Sequence, residues 1–211
     1  MDEVERIPTP LAVWLVTGAI VLVSAAFFFA PTDMQQKIDY AFALIPERYH
    51  ADSPYRFATW YEAIGPIFGH AFLHLNWFHL GINAAFLAGA SRLPALRLGT
   101  VRYLLVVIAS LVMDSAVFIA LNWDGNASAV GASGAVCGMF TAFFFSLRRT
   151  WREALADPQV RGPLGMLFLI NVPLFAVLSE IGIFPIAWEG HLGGFIGGGV
   201  AYALLQPSEP A

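Results

Sequence analysis

The sequence predicts an all-α integral membrane protein, a bundle of six transmembrane helices. Two observations carry that prediction and a third orients it. Of the 211 residues, 58% are hydrophobic and only 12% charged, with a mean hydropathy of +0.66. Soluble domains carry about 25% charged residues. The deficit falls in long blocks, and six of them approach the roughly 20 apolar residues that cross a bilayer core: residues 11–30, 67–89, 101–121, 129–147, 163–180 and 185–205. The basic residues then alternate from loop to loop, which fixes the direction of each span.

The first span is the one uninterrupted apolar run. Ahead of it, MDEVERIPTP holds three acids and one Arg and lacks the basic stretch that opens a cleaved signal peptide. Residues 31–66 carry Pro, Trp and Tyr at both ends, so they read as a structured interfacial segment and not a linker. The second span contains His70, His74, His79 and Asn83; the third, fourth and fifth contain Asp114, Ser133 and Asn171; the sixth contains His191. Arg92, Arg97 and Arg102 lie between spans two and three, and Arg148, Arg149, Arg152 and Arg161 between spans four and five. Cytoplasmic loops are the basic ones, so both termini are expected in the cytoplasm. The outer loop runs against this with Lys37, Arg48 and Arg56, but it also holds five acids, and long loops are weak topology signals.

The expected organisation is therefore a cytoplasmic tail at 1–10, one membrane domain at 11–205 with an outer loop at 31–66, and a second cytoplasmic tail at 206–211. The net charge of −4 and a pI near 5.7 give no basic footprint, so nucleic acid is excluded as a partner. Cys137 is the single cysteine, which excludes an intrachain disulfide and a multi-cysteine metal site.

Polar groups inside a membrane are costly and usually face the bundle interior or a water-filled cavity. With the orientation above, spans two, four and six all enter from the outside. At 1.5 Å per residue, Ser133 is expected ~6 Å and His191 ~9 Å below the outer boundary. Two different helices thus carry a hydroxyl and an imidazole at similar depth. On span two, His79 and Asn83 stand at i and i+4 and share a face, while His74 diverges from His79 by about 140° around a continuous helix.

That set permits acyl transfer. A serine hydroxyl is a weak nucleophile until a base takes its proton, and neutral imidazole does so near pH 7. A helix N-terminus at Ser133 would favour an oxyanion, and His79 and Asn83 would add side-chain donors. Plainer readings stand beside each residue. Gly131 and Gly134, like Gly194 and Gly198, suit close helix packing. His70 and His74 at i and i+4 have the spacing of zinc-binding helices, without a Glu between them or an obvious third ligand. Asp114 reads as the partner of a neighbouring helix.

Three motifs together carry a family resemblance: His74-x4-His79-x3-Asn83, Gly131-Ala132-Ser133-Gly134 and His191-x2-Gly194-x3-Gly198. In that order on alternate spans, they resemble the rhomboid family of intramembrane serine proteases, over roughly residues 55–205. Tyr55-Arg56 is similar to the aromatic–Arg pair of the rhomboid first loop. The resemblance implies a rhomboid-like six-helix fold in which Ser133 is the nucleophile and His191 the general base, a dyad without a carboxylate. It implies that His79, Asn83 and the Ser133 backbone N–H hold the oxyanion, that His74 supports them, and that no cofactor or metal takes part. Substrates would be single-span proteins cut near the outer face, in a membrane expected to be the bacterial cytoplasmic one. Two positions depart from the family pattern. Cys137 stands where many rhomboids stack a Tyr on the base, and Arg97 stands before Gly99 without the usual acid.

Two other function classes compete. A catalytically inactive relative would bind transmembrane clients as a chaperone or quality-control factor, and such relatives typically lose the Ser or the His. A transporter or haem-binding protein would need a second cluster of ligands facing span two, and only His191 lies outside it.

Overall fold

A computed structural model describes residues 8–125 and 127–207. The structure is a bundle of long helices in the predicted order: α1 (Leu11–Phe29), α4 (Trp77–Leu98), α5 (Thr100–Leu121), α6 (Ser133–Phe145), the segment formed by α8 (Pro158–Leu169) and α9 (Phe175–Glu180), and α10 (Trp188–Leu205). Shorter helices α2 (Thr32–Phe42), α3 (Trp60–Gly69) and α7 (Trp151–Ala156) fill the connections. The expected terminal tails fall mostly on residues 1–7 and 208–211, outside the described residues.

Three of the long segments are apolar and long enough to cross a membrane on those grounds alone: Leu11–Phe29, Thr100–Leu121 and Pro158–Glu180. The other three are diluted or shortened. Helix α6 has 13 residues, about 20 Å of helix. Helices α4 and α10 are long but interrupted by His79, Asn83 and Arg92, and by Glu189, His191 and a run of glycines. These three polar helices lie at the centre. Helix α10 packs most extensively against α5 and α6, and α6 also against α4, while the outward faces of α4 and α10 expose Phe78, Phe86, Val200 and Leu204.

The second span departs from expectation. A single helix was expected from residue 67, but α3 ends at Gly69, a 3₁₀ turn covers His70–Phe72, and Leu73 is extended. Helix α4 starts only at Trp77, capped by the Asn76 side chain accepting from the His79 N–H at 2.9 Å. His70 and His74 therefore precede the helix that carries His79. The i, i+4 pairing of His70 with His74, and the 140° divergence of His74 from His79, do not exist.

The connection between α1 and α4, expected as the outer loop, is structured, as its aromatic and proline content suggested. Leu44 and Ala129 exchange backbone hydrogen bonds of 3.0 Å each way, tying the loop to the strand-like approach to α6. Arg48, only 7% exposed, donates to the Tyr40 and Tyr55 carbonyls, and its guanidinium lies 4.1 and 4.0 Å from the Tyr40 and Phe57 ring centres. Beside it, Tyr49 donates to the Ala63 carbonyl at 2.9 Å, and burial pushes its phenol up to about 12. Arg56 is exposed, and among the described residues its side chain reaches the Ala51 carbonyl alone. The arginine that staples this loop is Arg48, not the Arg56 of the Tyr55-Arg56 pair.

Candidate active site

Ser133 is the first residue of α6 and does not lie four residues inside a helix begun at 129. The helix starts there because Gly131 takes φ of +120°, a conformation that turns the chain sharply before Ala132 and suits glycine alone. The Gly131 N–H is held by the His70 carbonyl at 2.8 Å. Ser133 is half-buried while Gly134–Met139 behind it are buried. Its backbone N–H is thus among the unpaired donors that open a helix.

His79 and Asn83 converge on this turn from α4. A side chain built on Gly131 would stand 2.8 Å from His79 Cε1, 3.0 Å from His79 Nε2 and 3.8 Å from Asn83 Nδ2. Glycine at 131 is what lets the imidazole and the amide reach the backbone just ahead of Ser133. Asn83 spends one Nδ2 hydrogen on the His79 carbonyl at 3.1 Å, which fixes the amide and leaves the other hydrogen free.

His191 lies in the first turn of α10 and is 6% exposed. Its height relative to Ser133 is set by backbone contact between α6 and α10. A Cβ at Gly194 would stand 2.8 Å from the Gly134 carbonyl carbon, and one at Gly198 would stand 2.6 Å from that of Gly138. The helices touch through glycine alone at these two levels, with Ser133 beside the first and His191 one turn above it.

The ring of His191 is oriented by two groups that the sequence did not disclose. Nδ1 lies 3.0 Å from the Asn171 carbonyl. A carbonyl only accepts, so Nδ1 carries the proton and neutral His191 keeps its lone pair at Nε2, the atom a general base needs. The carbonyl does not receive the Phe175 N–H, which bonds to Val172 at the end of the π-helical turn Ile170–Leu174. Phe175 then lies 5.9 Å from His191, centre to centre. Cys137 does not take the place of a stacking ring; it is buried in a cluster with Val172 and Phe195.

His74 lies behind His79 and is tied to α1. The Ser24 hydroxyl spends its single proton on the Phe72 carbonyl at 2.8 Å, so the 2.9 Å contact with His74 Nδ1 has the imidazole donating. Its ring meets that of His79 edge-on at 4.9 Å, and His79 in turn lies within electrostatic reach of His191. His70 faces elsewhere: Nδ1 bonds to the Pro66 carbonyl at 2.7 Å and Nε2 to Asp114 Oδ2 at 2.8 Å. No group of three His, Cys, Asp or Glu side chains with metal-binding geometry occurs among the described residues.

The described residues bring Ser133, His79, Asn83 and His191 to one end of the bundle, on three helices. No hydrogen bond joins the Ser133 hydroxyl to His191 among them, and in substrate-free sites such contacts commonly tighten only when substrate arrives. The arrangement offers a hydroxyl at a helix start, an imidazole of fixed tautomer and converging donors. A comparison with curated proteins finds no match. The Rhomboid domain model, however, matches residues 58–208, a stretch that begins just before α3 and contains all four residues, and the chain belongs to the rhomboid family of integral membrane proteins.

Proposed function

We propose that this protein is an intramembrane serine endopeptidase. Ser133 attacks the scissile carbonyl, and His191 takes its proton at Nε2 and returns it to the leaving amine. The Ser133 backbone N–H, Asn83 Nδ2 and His79 Nε2 receive the oxyanion. Water then releases the acyl group by the same proton route. The observation that carries this reading is the 3.0 Å bond from His191 Nδ1 to the Asn171 carbonyl. It supplies what a third catalytic residue supplies in a triad, namely orientation and the correct tautomer, so the dyad needs no carboxylate on His191.

Both reacting residues lie in the first turns of α6 and α10, which supports cleavage near one face of the bilayer. The basic loops at the other end support that face being the outer one and both termini being cytoplasmic. The substrates are single-span membrane proteins whose helix is interrupted near that face, since an extended backbone is needed to reach the serine. A bacterial cytoplasmic membrane is the proposed location.

The test is made in lipid vesicles that hold the protein and a single-span reporter whose helix is broken by Gly-Pro near the outer face. The expected result is two fragments cut at the break, with Ser133→Ala binding the reporter but leaving it whole. Wild-type protein that binds the reporter and never cuts it would instead identify a client-binding relative.

A further inference from the structure

Asp114 is a buried acid that the mechanism above does not use, and it lies across both halves of the dyad. We propose that Asp114, tied to His70, is a positioning residue whose negative end favours the imidazolium that His191 becomes when it takes the Ser133 proton. This rests on the reading of Ser133 and His191 as the reacting pair.

The placement comes from two glycines. A Cβ at Gly134, next to Ser133, would stand 2.6 Å from Asp114 Cβ, and one at Gly190, next to His191, would stand 3.2 Å from Asp114 Cγ. The carboxyl side chain fills the space beside both, 6% exposed. His70, 2% exposed, holds its other end from the turn between α3 and α4. One side chain of α5 therefore touches α6 and α10 at the level of the reacting residues. The other titratable group beside His191 is His79, from α4.

The bonds of His70 define the charge of the pair. The Pro66 carbonyl only accepts, so His70 Nδ1 is protonated. Without a further proton, a lone pair at Nε2 would face a carboxylate at 2.8 Å, which is repulsive. The contact therefore holds one shared proton, as imidazolium–carboxylate or imidazole–carboxylic acid. In the first form the negative end lies against Gly134 and Gly190 and the positive end points away towards Pro66. A dipole fixed in that direction favours positive charge developing on His191 and needs no reorganisation during the reaction. Simple holding would not require it, because an apolar pair of similar shape is often as stabilising or more so.

Asp114→Asn separates the two roles. An amide at 114 keeps the shape and donates a hydrogen bond to the His70 Nε2 lone pair, but it carries no charge. Full-length protein in detergent is treated with a fluorophosphonate probe, and the maximal labelling rate is measured separately from the probe concentration giving half that rate. A bare opposite charge nearby changes proton affinity about 10- to 10³-fold, and a fixed dipole with its negative end nearer acts at the low end of that scale. The expected result is therefore a maximal rate lower by about tenfold, with half-saturation and melting temperature close to wild type. His70→Gln keeps a donor to Asp114 and removes only the positive end of the pair, so it should lower the rate less than Asp114→Asn does, and the double variant should fall to the Asp114→Asn rate. A wild-type maximal rate in folded Asp114→Asn would overturn the proposal. Failure of both single variants to fold would also overturn it, since the pair would then be a structural tie. Labelling of Ser133→Ala at the wild-type rate would instead remove the dyad reading itself.

Discussion

Gly194→Ala is the smallest change that tests whether helix contact sets the geometry of the site. The added Cβ would stand 2.8 Å from the carbonyl carbon and 2.9 Å from the Cα of Gly134, and closer still to its carbonyl oxygen, whereas ordinary contact begins at 3.4 Å. The opposing atoms are backbone, so no side chain can swing away. Helices α6 and α10 must separate by on the order of 1 Å, and overpacking of this kind costs about 1–3 kcal/mol or more. Ser133 and His191 ride on the two helices that part, and a 1 Å misplacement costs about 10²-fold in rate. Thermal melting in detergent and the fluorophosphonate labelling rate should both report it, the rate more severely. Gly165→Ala is the matched control, because nothing lies within 4 Å of a Cβ there; in helix α8 it should be neutral or stabilising by up to about 1 kcal/mol. A Gly194→Ala protein that melts and labels like wild type would refute the argument that glycine contact positions the dyad.

Asn83→Ala should lower the cleavage rate about 10²–10³-fold, the usual scale for one oxyanion donor, with melting little changed; a silent substitution would remove Asn83 from the oxyanion site. Arg48→Ala should destabilise the outer loop by about 2–4 kcal/mol through lost ring contacts and charged hydrogen bonds, seen as faster proteolysis of residues 43–59. Arg48→Lys should restore only part, since an ammonium cannot both stack and fork. Tyr49 titrates near 12 because it is buried, so its contribution to stability is complete below pH 10 and is lost as pH rises towards 12. Tyr49→Phe should cost about 1 kcal/mol at neutral pH. The wild-type-minus-variant absorbance titration should show tyrosinate only near pH 12, and a titration near 10 would contradict the burial.

Much of the fold is legible in the sequence because bilayer length and charge alternation act over whole segments. Periodicity also put His79 and Asn83 on one face, where α4 carries them. Hydropathy failed at the start of span two, since residues 70–76 continue its apolar run but belong to a 3₁₀ turn and an extended stretch. Asn76, an N-cap residue just before Trp77, was the available signal for the true start. The start of span four was drawn too early for a similar reason, because Gly131 with its positive φ delays the helix to Ser133 where composition begins it at 129. The orienting carbonyl of Asn171 left no trace, since every residue carries a backbone acceptor and Pro173 withholds its N–H from Leu169, not from Asn171. The Asp114–His70 contact left none, since it joins residues 44 apart in the chain and is decided by how α3, α5, α6 and α10 meet. Arg48 outranks Arg56 for the same kind of reason: two aromatic rings close over it only in the folded loop.

The central claim is that Ser133 is an activated nucleophile and His191 its base. It is tested most directly by treating the purified, folded protein with a fluorophosphonate and locating the adduct by mass spectrometry. The account predicts one adduct, on Ser133, absent from Ser133→Ala and from His191→Ala. An adduct elsewhere, or none in folded wild-type protein, would contradict it.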